Sequence, residues 1–199
     1  MSYIYVDKVG AGPAHPDKKW GLFSDELTVA EAEERYNRNA ALREDWFGIV
    51  HIEPGEDRPS AYLQMCPRAN GVVLHKLTEH GSIAASYTWG AYYSVSEDEA
   101  YEGDDDRVFL GSIYWYVYPE GAKFFRRTAI TGSIGMTFTP QGYAKEDRVT
   151  KNGFGEPDTV ETREFRDVDV SANWFEIPEF GDWDDFFHPD RERGSKSGN

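Results

Sequence analysis

The strongest pattern in this sequence is the alternation of side chains over residues 108–118. Successive side chains of a strand point to opposite faces of a sheet. One predicted face carries four large apolar residues: Phe109, Ile113, Trp115 and Val117. The other carries one leucine and three tyrosines: Leu110, Tyr114, Tyr116 and Tyr118. Residues 108–118 are therefore predicted to form a strand with bulky side chains on both faces.

Shorter extended segments are separated by residues that favour turns. Asn70-Gly71 tolerates the positive backbone angles of a tight turn, and Gly132-Ser133 is predicted to join segments 123–131 and 134–139 as a hairpin. Charge on both faces of residues 160–170 is typical of an exposed edge strand. These spacings predict about seven to nine strands, mainly antiparallel, without the βαβ rhythm of a doubly wound sheet.

One amphipathic helix is predicted near residues 29–43. Thr28 suits the N-cap, and Glu31 stands three residues later, as in a capping box. Apolar residues recur at helical spacing: Val29, Ala32, Tyr36 and Ala40. We expect this stripe to dock on an apolar surface of the same chain.

The segment 174–187 combines six aromatic residues with five carboxylates and contains no Lys or Arg. Pro178 and Gly181 argue against one long helix, although residues 182–187 can form a short turn. The rings either pack on the chain's own core or bind a partner. Large exposed rings are rare in soluble proteins, which favours an arm wrapped around the domain, with its carboxylates left outside.

These elements predict an α+β, β-rich fold. We expect a single domain over residues 1–172, an acidic and aromatic C-terminal arm over residues 173–190, and a flexible tail over residues 191–199. A length of 199 residues is enough to bury a sizeable core. Whether the sheet closes into a sandwich or barrel does not follow from the pattern.

The formal net charge is −15, and residues 96–199 contribute −11 of it. Such a charge opposes binding to nucleic-acid phosphates and anionic membranes and favours cationic partners. No apolar run approaches the length of a membrane span, and the first residues lack a secretory pattern. A single cysteine, Cys66, excludes an internal disulfide. We therefore expect a cytoplasmic protein with no nucleic-acid or membrane partner.

Candidate chemistry is weak throughout the sequence. The Gly10-Ala11-Gly12 loop lacks the third glycine and the helix of a dinucleotide site. His75 and His80 are spaced for neither a helical nor a strand metal pair, and nothing in the spacing brings His51 to Cys66. The acids of residues 97–106 lack the alternation of a calcium loop. We expect no cofactor, no metal and no enzymatic activity.

The three tyrosines of the predicted strand support two interpretations. Tyr114, Tyr116 and Tyr118 suit an exposed aromatic patch, because tyrosine offers contact area with a polar tip. Alternatively, the predicted helix covers this face and the rings are half buried. Both interpretations remain open from the sequence.

The favoured function is a small acidic protein that binds and neutralises a basic protein. In composition alone, the chain resembles bacterial toxin-immunity proteins and phage-encoded inhibitors, and this resemblance implies a cationic protein partner. An aromatic anchor ringed by carboxylates suits that role. The predicted partner-binding residues are Trp174, Glu176, Glu179, Phe180, Asp182, Trp183, Asp184, Asp185, Phe186 and Phe187, together with Tyr114, Tyr116 and Tyr118. The alternatives are a nucleic-acid mimic, a phage structural or assembly protein, and a small-molecule enzyme with a β-rich pocket around His75 and His80.

Overall fold

The computed structural model describes residues 3–9, 23–37, 46–52, 55, 58–66, 71–90, 107–121, 123–153 and 155–191. Over these ranges the chain forms one 11-stranded sheet with two α-helices. The strands are β1 Tyr3–Val9, β2 Phe23–Leu27, β3 Phe47–His51, β4 Ala61–Cys66, β5 Gly71–Leu77, β6 Ile83–Gly90, β7 Arg107–Val117, β8 Gly132–Phe138, β9 Ala144–Thr150, β10 Thr159–Phe165 and β11 Trp174–Glu176. The helices are α1 Val29–Asn37 and α2 Asp184–Phe187, and single 3-10 turns span Arg127–Ala129 and Ser171–Asn173.

The sheet is antiparallel, and its strands follow the order β10-β9-β8-β7-β6-β5-β4-β3-β1-β2. From β3 to β10 neighbouring strands are consecutive in the chain, while β1 lies between β3 and β2. β6 pairs with most of β7 along one side. On the other side β8 pairs with Ser112–Val117 of β7, and β11 pairs with Arg107–Phe109. The β-rich, mainly antiparallel prediction is therefore confirmed.

The predicted strand count of about seven to nine was too low. β2 and β11 are short and lack the alternation that marks a strand. β9 carries four consecutive charged residues, at positions 145–148, in place of alternating apolar ones, so it also escaped notice. Conversely, residues 123–131 form no strand over their described length, because they belong to the connection between β7 and β8. Gly132-Ser133, expected to turn, instead begins β8.

Two cross-strand rows define the two faces of the sheet. We call one the covered face, and its central row is Tyr5, Ile49, Leu63, Leu74 and Tyr87. We call the other the tyrosine face, and its central row is Val50, Tyr62, His75, Ser86 and Tyr114. Because side chains alternate along each strand, the two rows point to opposite sides.

An irregularity in β7 changes the predicted face of Phe109. Thr88 is opposite Ser112 and Trp89 is opposite Leu110, so Gly111 is the extra residue of a bulge. Beyond the bulge the alternation shifts by one position. Leu110 and Ile113 therefore share the covered face, whereas Phe109 packs on Trp174 on the tyrosine face. The predicted grouping of Phe109 with Ile113 was wrong.

The covered face is closed by α1 and the C-terminal arm, residues 173–190. α1 begins at Val29, as predicted, and its Ala32 is completely buried in the same apolar cluster as the sheet residues. The amide N–H and the hydroxyl of Thr28 both donate to Glu31 Oε2, at 2.8 and 2.7 Å, and form one half of the capping box. Residues 38–43 of the predicted helix lie outside the described residues.

The strands β8, β9 and β10 extend the sheet beyond this covering layer, and we call them the wing. Every residue of β10 is exposed, and most of β8 and β9 is half buried or exposed. Large apolar side chains at this end remain accessible: Tyr114, Trp115, Val117, Val160 and Phe165. The core of the molecule therefore lies between β1 and the first half of β7. No helix in the described part of the chain is long and apolar enough to cross a membrane.

Candidate functional site

The arm reaches the core through three local devices. β11 fixes its start beside β7, and Pro178 ends that pairing. Gly181 has φ of +98°, a left-handed conformation that glycine adopts without strain, and it reverses the chain. The four residues of α2 then form one turn that directs Phe186 and Phe187 inward.

The rings of the arm are part of the core. Trp183 and Phe186 are fully buried, and Phe186 lies with Phe175 against Trp89 at centroid distances of 5.2 and 5.1 Å. Phe187 stacks on Tyr3 at 5.8 Å. The arm is therefore wrapped around the domain, which is the arrangement that the sequence favoured. Buried rings cannot be the aromatic anchor of a partner surface in this fold, so that part of the predicted site is corrected.

Trp174 and Glu176 are separated from the rest of the arm by strand alternation. They point to the tyrosine face, whereas Phe175 between them points to the core. Trp174 packs on Phe109 at 5.0 Å, and the guanidinium of Arg107 lies 4.9 Å from its ring centroid. The predicted set of arm residues therefore spans both sides of the sheet.

The remaining carboxylates of the arm lie on its outer side. Glu179, Asp182 and Asp185 are exposed and form no ion pair with another described residue. Asp184 differs, because Arg191 Nη1 approaches one of its oxygens at 2.8 Å and His188 Nε2 the other at 3.6 Å. Asp184 is thus neutralised within the chain, whereas Glu179, Asp182 and Asp185 remain open to solvent.

The helix α1 and the arm form one continuous layer. The Tyr36 hydroxyl donates a hydrogen bond to the Pro178 carbonyl oxygen. The Tyr36 ring also meets Phe180 at 5.8 Å and Trp183 at 5.4 Å. Because these contacts are aromatic and partly buried, the two elements are held in a fixed relationship.

The outer side of this layer is strongly acidic. It carries seven carboxylates, of which six are exposed and Asp184 is half buried: Glu31, Glu33, Glu34, Glu179, Asp182, Asp184 and Asp185. Within Val29–Asn37 and Trp174–Phe187 the one cation is Arg35, and its guanidinium pairs with Asp7 of β1. The hydrogen bonds from Thr28 hold the pKa of Glu31 below its ordinary value. We call this surface the acidic layer.

An ion pair that the sequence did not indicate fastens the chain just after α2. Lys76 Nζ lies 2.6 Å from Asp190 Oδ2 and 5.0 Å from the Tyr87 ring centroid. Burial opposes protonation of Lys76, but the hydrogen bond to Asp190 and the neighbouring Tyr87 outweigh it and raise the pKa of Lys76. A separation of 114 residues hid this pair from sequence analysis.

The tyrosines of β7 differ in their surroundings. Tyr114 is 38% exposed, and its ring lies over Gly135, where a Cβ atom would stand 2.6 Å from it. The Arg127 guanidinium lies 5.4 Å from the Tyr116 ring, and Tyr118 donates to the Ile83 carbonyl oxygen at 2.9 Å. The described part of α1 packs on the opposite face, so of the two interpretations the one in which this helix covers the tyrosines is wrong. Tyr92 and Tyr93, which precede β7 in the sequence, lie outside the described residues.

His75 is buried in a polar row on the tyrosine face. Its Nδ1 lies 2.8 Å from Ser86 Oγ and its Nε2 3.0 Å from Gln64 Oε1. Burial, reinforced by the positive charge of Arg127, lowers the pKa of His75 to about 4. The imidazole is therefore neutral at pH 7, and both ring nitrogens are occupied by neutral partners, an arrangement that fixes the register of three strands.

The other candidate groups do not assemble into a catalytic arrangement. His80 Nε2 lies 3.1 Å from the carboxylate of its neighbour Glu79, in the turn between β5 and β6. His51 and Cys66 stand at opposite ends of the β3–β4 pair and do not meet. Cys66 is buried beside a cavity of about 20 Å³ with mainly apolar walls. Among the described residues, no group of three or more His, Cys, Asp or Glu side chains could hold a metal ion.

One shallow groove was not indicated by the sequence. It has a volume of about 590 Å³ and lies between the β8–β9 turn and the segment before β11. Gln141, Asp167, Asp169, Arg107 and Trp174 supply its polar and aromatic lining. The glycine loop at residues 10–12 and the acidic segment 97–106 lie outside the described residues. No protein-family model, curated protein or solved structure matches this chain.

Proposed function

We propose that this protein binds and neutralises a basic protein through the acidic layer. The observation that carries the proposal is the orientation of the arm. Its rings other than Trp174 pack on the core, while Glu179, Asp182 and Asp185 face solvent and pair with no cation among the described residues. The arm therefore presents charge on a surface whose conformation the core already fixes.

Fixed carboxylates are better suited to capture than flexible ones. A partner that binds to a mobile acidic tail must order it, and this ordering opposes association. Here the contacts of Tyr36 with Phe180 and Trp183 hold α1 and the arm together before any partner arrives. A basic surface can then dock without reorganisation of the acidic layer.

The charge pattern also favours fast encounter. A net charge of −15 attracts a cationic protein from a distance, and the acidic layer gives that attraction a direction. The partner expected from this chemistry is a protein with a cluster of Lys and Arg on an accessible face. Covering that cluster would block whatever anionic ligand it serves.

The partner can be sought by cross-linking in the cells that produce this protein, followed by mass spectrometry and titration of the purified candidate. We expect a 1:1 complex whose association slows as salt is raised, because exposed charges are screened. The double variant Glu179→Lys with Asp182→Lys should weaken binding by about tenfold or more.

A matched control changes the same charge elsewhere. Glu120→Lys with Glu156→Lys alters two exposed carboxylates remote in sequence from α1 and the arm, and it should change affinity by less than about threefold. A partner with no basic surface would contradict the proposal. So would equal weakening by both double variants, since that would reflect net charge and not the acidic layer.

A further inference from the structure

The edge strand β10 is an unpaired and regular template. All seven of its residues are exposed, and all seven are in unbroken register with β9, from Thr159 opposite Thr150 to Phe165 opposite Ala144. The strand path ends at β10, so its outer backbone N–H and C=O groups meet no further strand within the described residues. Such an edge can accept another strand.

The other edge of the sheet is disrupted. In β2, Asp25 has φ of +59°, a left-handed conformation that interrupts a strand. Pairing with β1 is lost at that position, between Glu26 opposite Val6 and Ser24 opposite Lys8. This local distortion and two adjacent acids discourage strand addition. β10 has no equivalent device between its first and last residue.

The charges along β10 favour one register of pairing with a second copy of the strand. When two copies of a strand pair antiparallel about a two-fold axis perpendicular to the sheet, one residue lies opposite the same residue of the other copy. The residue before it then lies opposite the residue after it in the other copy. An axis at Thr162 places Glu161 opposite Arg163 of a second copy, twice. Axes at Glu161 or Arg163 would instead oppose like charges, which destabilises a cross-strand pair. Of these three central registers, only the one at Thr162 makes the strand complementary to itself.

Local charge does not oppose this approach. The segment 159–166 contains Glu161, Arg163, Glu164 and Arg166 and is neutral, unlike the acidic layer. The Thr162 register also places Phe165, which is 42% exposed, opposite Thr159 of the second copy. Aromatic and β-branched residues form favourable cross-strand pairs.

We propose that β10 pairs antiparallel with β10 of a second copy of this chain, with the two-fold axis at Thr162. The two sheets then continue into one another through the wings. This pairing does not involve the acidic layer, and it is tested on the purified protein alone, so its failure is distinct from a failure of the proposed function.

The first experiment measures molar mass by light scattering during gel filtration, over a range of protein concentrations. We expect the mass of a dimer for the unmodified chain. Glu161→Arg and Arg163→Glu should each weaken dimerisation by about tenfold or more, because each places two like-charged pairs across the axis. An equimolar mixture of the two variants should form a heterodimer, since Arg again meets Glu at both positions.

Matched charge changes away from β10 serve as controls. Glu33→Arg on α1 and Arg126→Glu before the 3-10 turn alter exposed residues, and both should leave the dimer intact. Recovery on mixing also shows that the two edge variants are folded. A monomeric unmodified chain would overturn the proposal, as would a dimer that survives both variants or fails to return on mixing.

A cross-link tests the register itself. Thr162→Cys should give a covalent dimer with a short bifunctional thiol reagent, because opposed Cβ atoms in an antiparallel pair are about 4.5–5.5 Å apart, slightly beyond the usual span of a disulfide. Val160→Cys should not, since residue 160 would face Glu164 of the second copy. Cys66 is buried and is present in both variants. Cross-linking of Val160→Cys in preference to Thr162→Cys would overturn the register.

Discussion

The indole Nε1–H of Trp183 donates a hydrogen bond to the hydroxyl oxygen of Tyr5 at 3.2 Å, across 178 residues of sequence. Both side chains are buried, Trp183 completely. The Tyr5 ring also stacks on Phe180 at 5.2 Å. The arm is therefore joined to the first strand by a polar contact within an aromatic cluster, and this contact fixes where the arm crosses the covered face.

Trp183→Ala should destabilise the protein strongly. The substitution leaves a cavity and removes the partner of the Tyr5 hydroxyl, so we expect a loss of about 3–5 kcal/mol in the free energy of unfolding. Urea unfolding followed by circular dichroism measures it. Trp115→Ala is the matched control, because Trp115 is 38% exposed, and it should cost less than about half as much. Similar losses for both would contradict the placement of Trp183.

Removing the arm should abolish cooperative folding. A chain that ends at Ala172 lacks Phe175, Trp183, Phe186 and Phe187, each of which is buried in the core. Burial of one such side chain contributes roughly 1.5–3 kcal/mol, so their sum is comparable with the whole stability of a typical domain. Calorimetry should show no sharp transition for the truncated chain. A melting temperature within a few degrees of the full chain would show that the arm is a detachable peptide.

The capping box of α1 should make stability depend on Glu31. The folded-state pKa of Glu31 lies below its ordinary value of 4.5, because Thr28 donates hydrogen bonds to the carboxylate. Its contribution is therefore present above pH 4.5 and is lost as the pH falls through the lowered pKa. Glu31→Gln should destabilise the protein at pH 7 and lose this effect in acid. Glu33→Gln, on the same helix without a cap role, should have little effect at either pH.

His75 should make the stability of the protein decrease as the pH falls. Its pKa is lowered from 6.5 to about 4, so the unfolded chain takes up a proton first as the pH falls. Stability is complete above pH 6.5 and decreases by about 3 kcal/mol as the pH falls to about 4. His75→Gln should flatten that decrease in chemical denaturation series, and His80→Gln, in the turn beside Glu79, should leave it unchanged. An imidazole proton resonance of His75 that titrates near pH 6.5 would contradict this account.

Local signals were sufficient to predict several elements. Thr28 and Glu31 fixed the start of α1, since a capping box is read from four neighbouring residues. Alternation over residues 108–118 identified β7, and charge on both faces identified β10 as an edge. The burial of the arm rings was also favoured in advance, because rings of that size seldom remain exposed.

The remaining features depend on contacts between distant residues. A glycine inside a strand is compatible with a bulge, but only the pairing of β6 with β7 shows that one forms at Gly111. For the same reason the sequence placed Trp174 and Trp183 in one surface, although β11 turns Trp174 to the opposite side of the sheet. The charges in the sequence likewise do not show that Arg191 neutralises Asp184, because the sequence does not say which charged side chains are in contact.

Because Trp183 contacts Tyr5 across almost the whole chain, the core can close only late in translation. When β1 to β10 have been synthesised, the apolar surface of the sheet is present, but the aromatic rings of the arm that cover it are not. That surface therefore stays exposed until Phe187 has left the ribosome. Chaperones that bind exposed aromatic segments would have their longest opportunity in this interval, and a codon change that slows synthesis of residues 166–187 would prolong it.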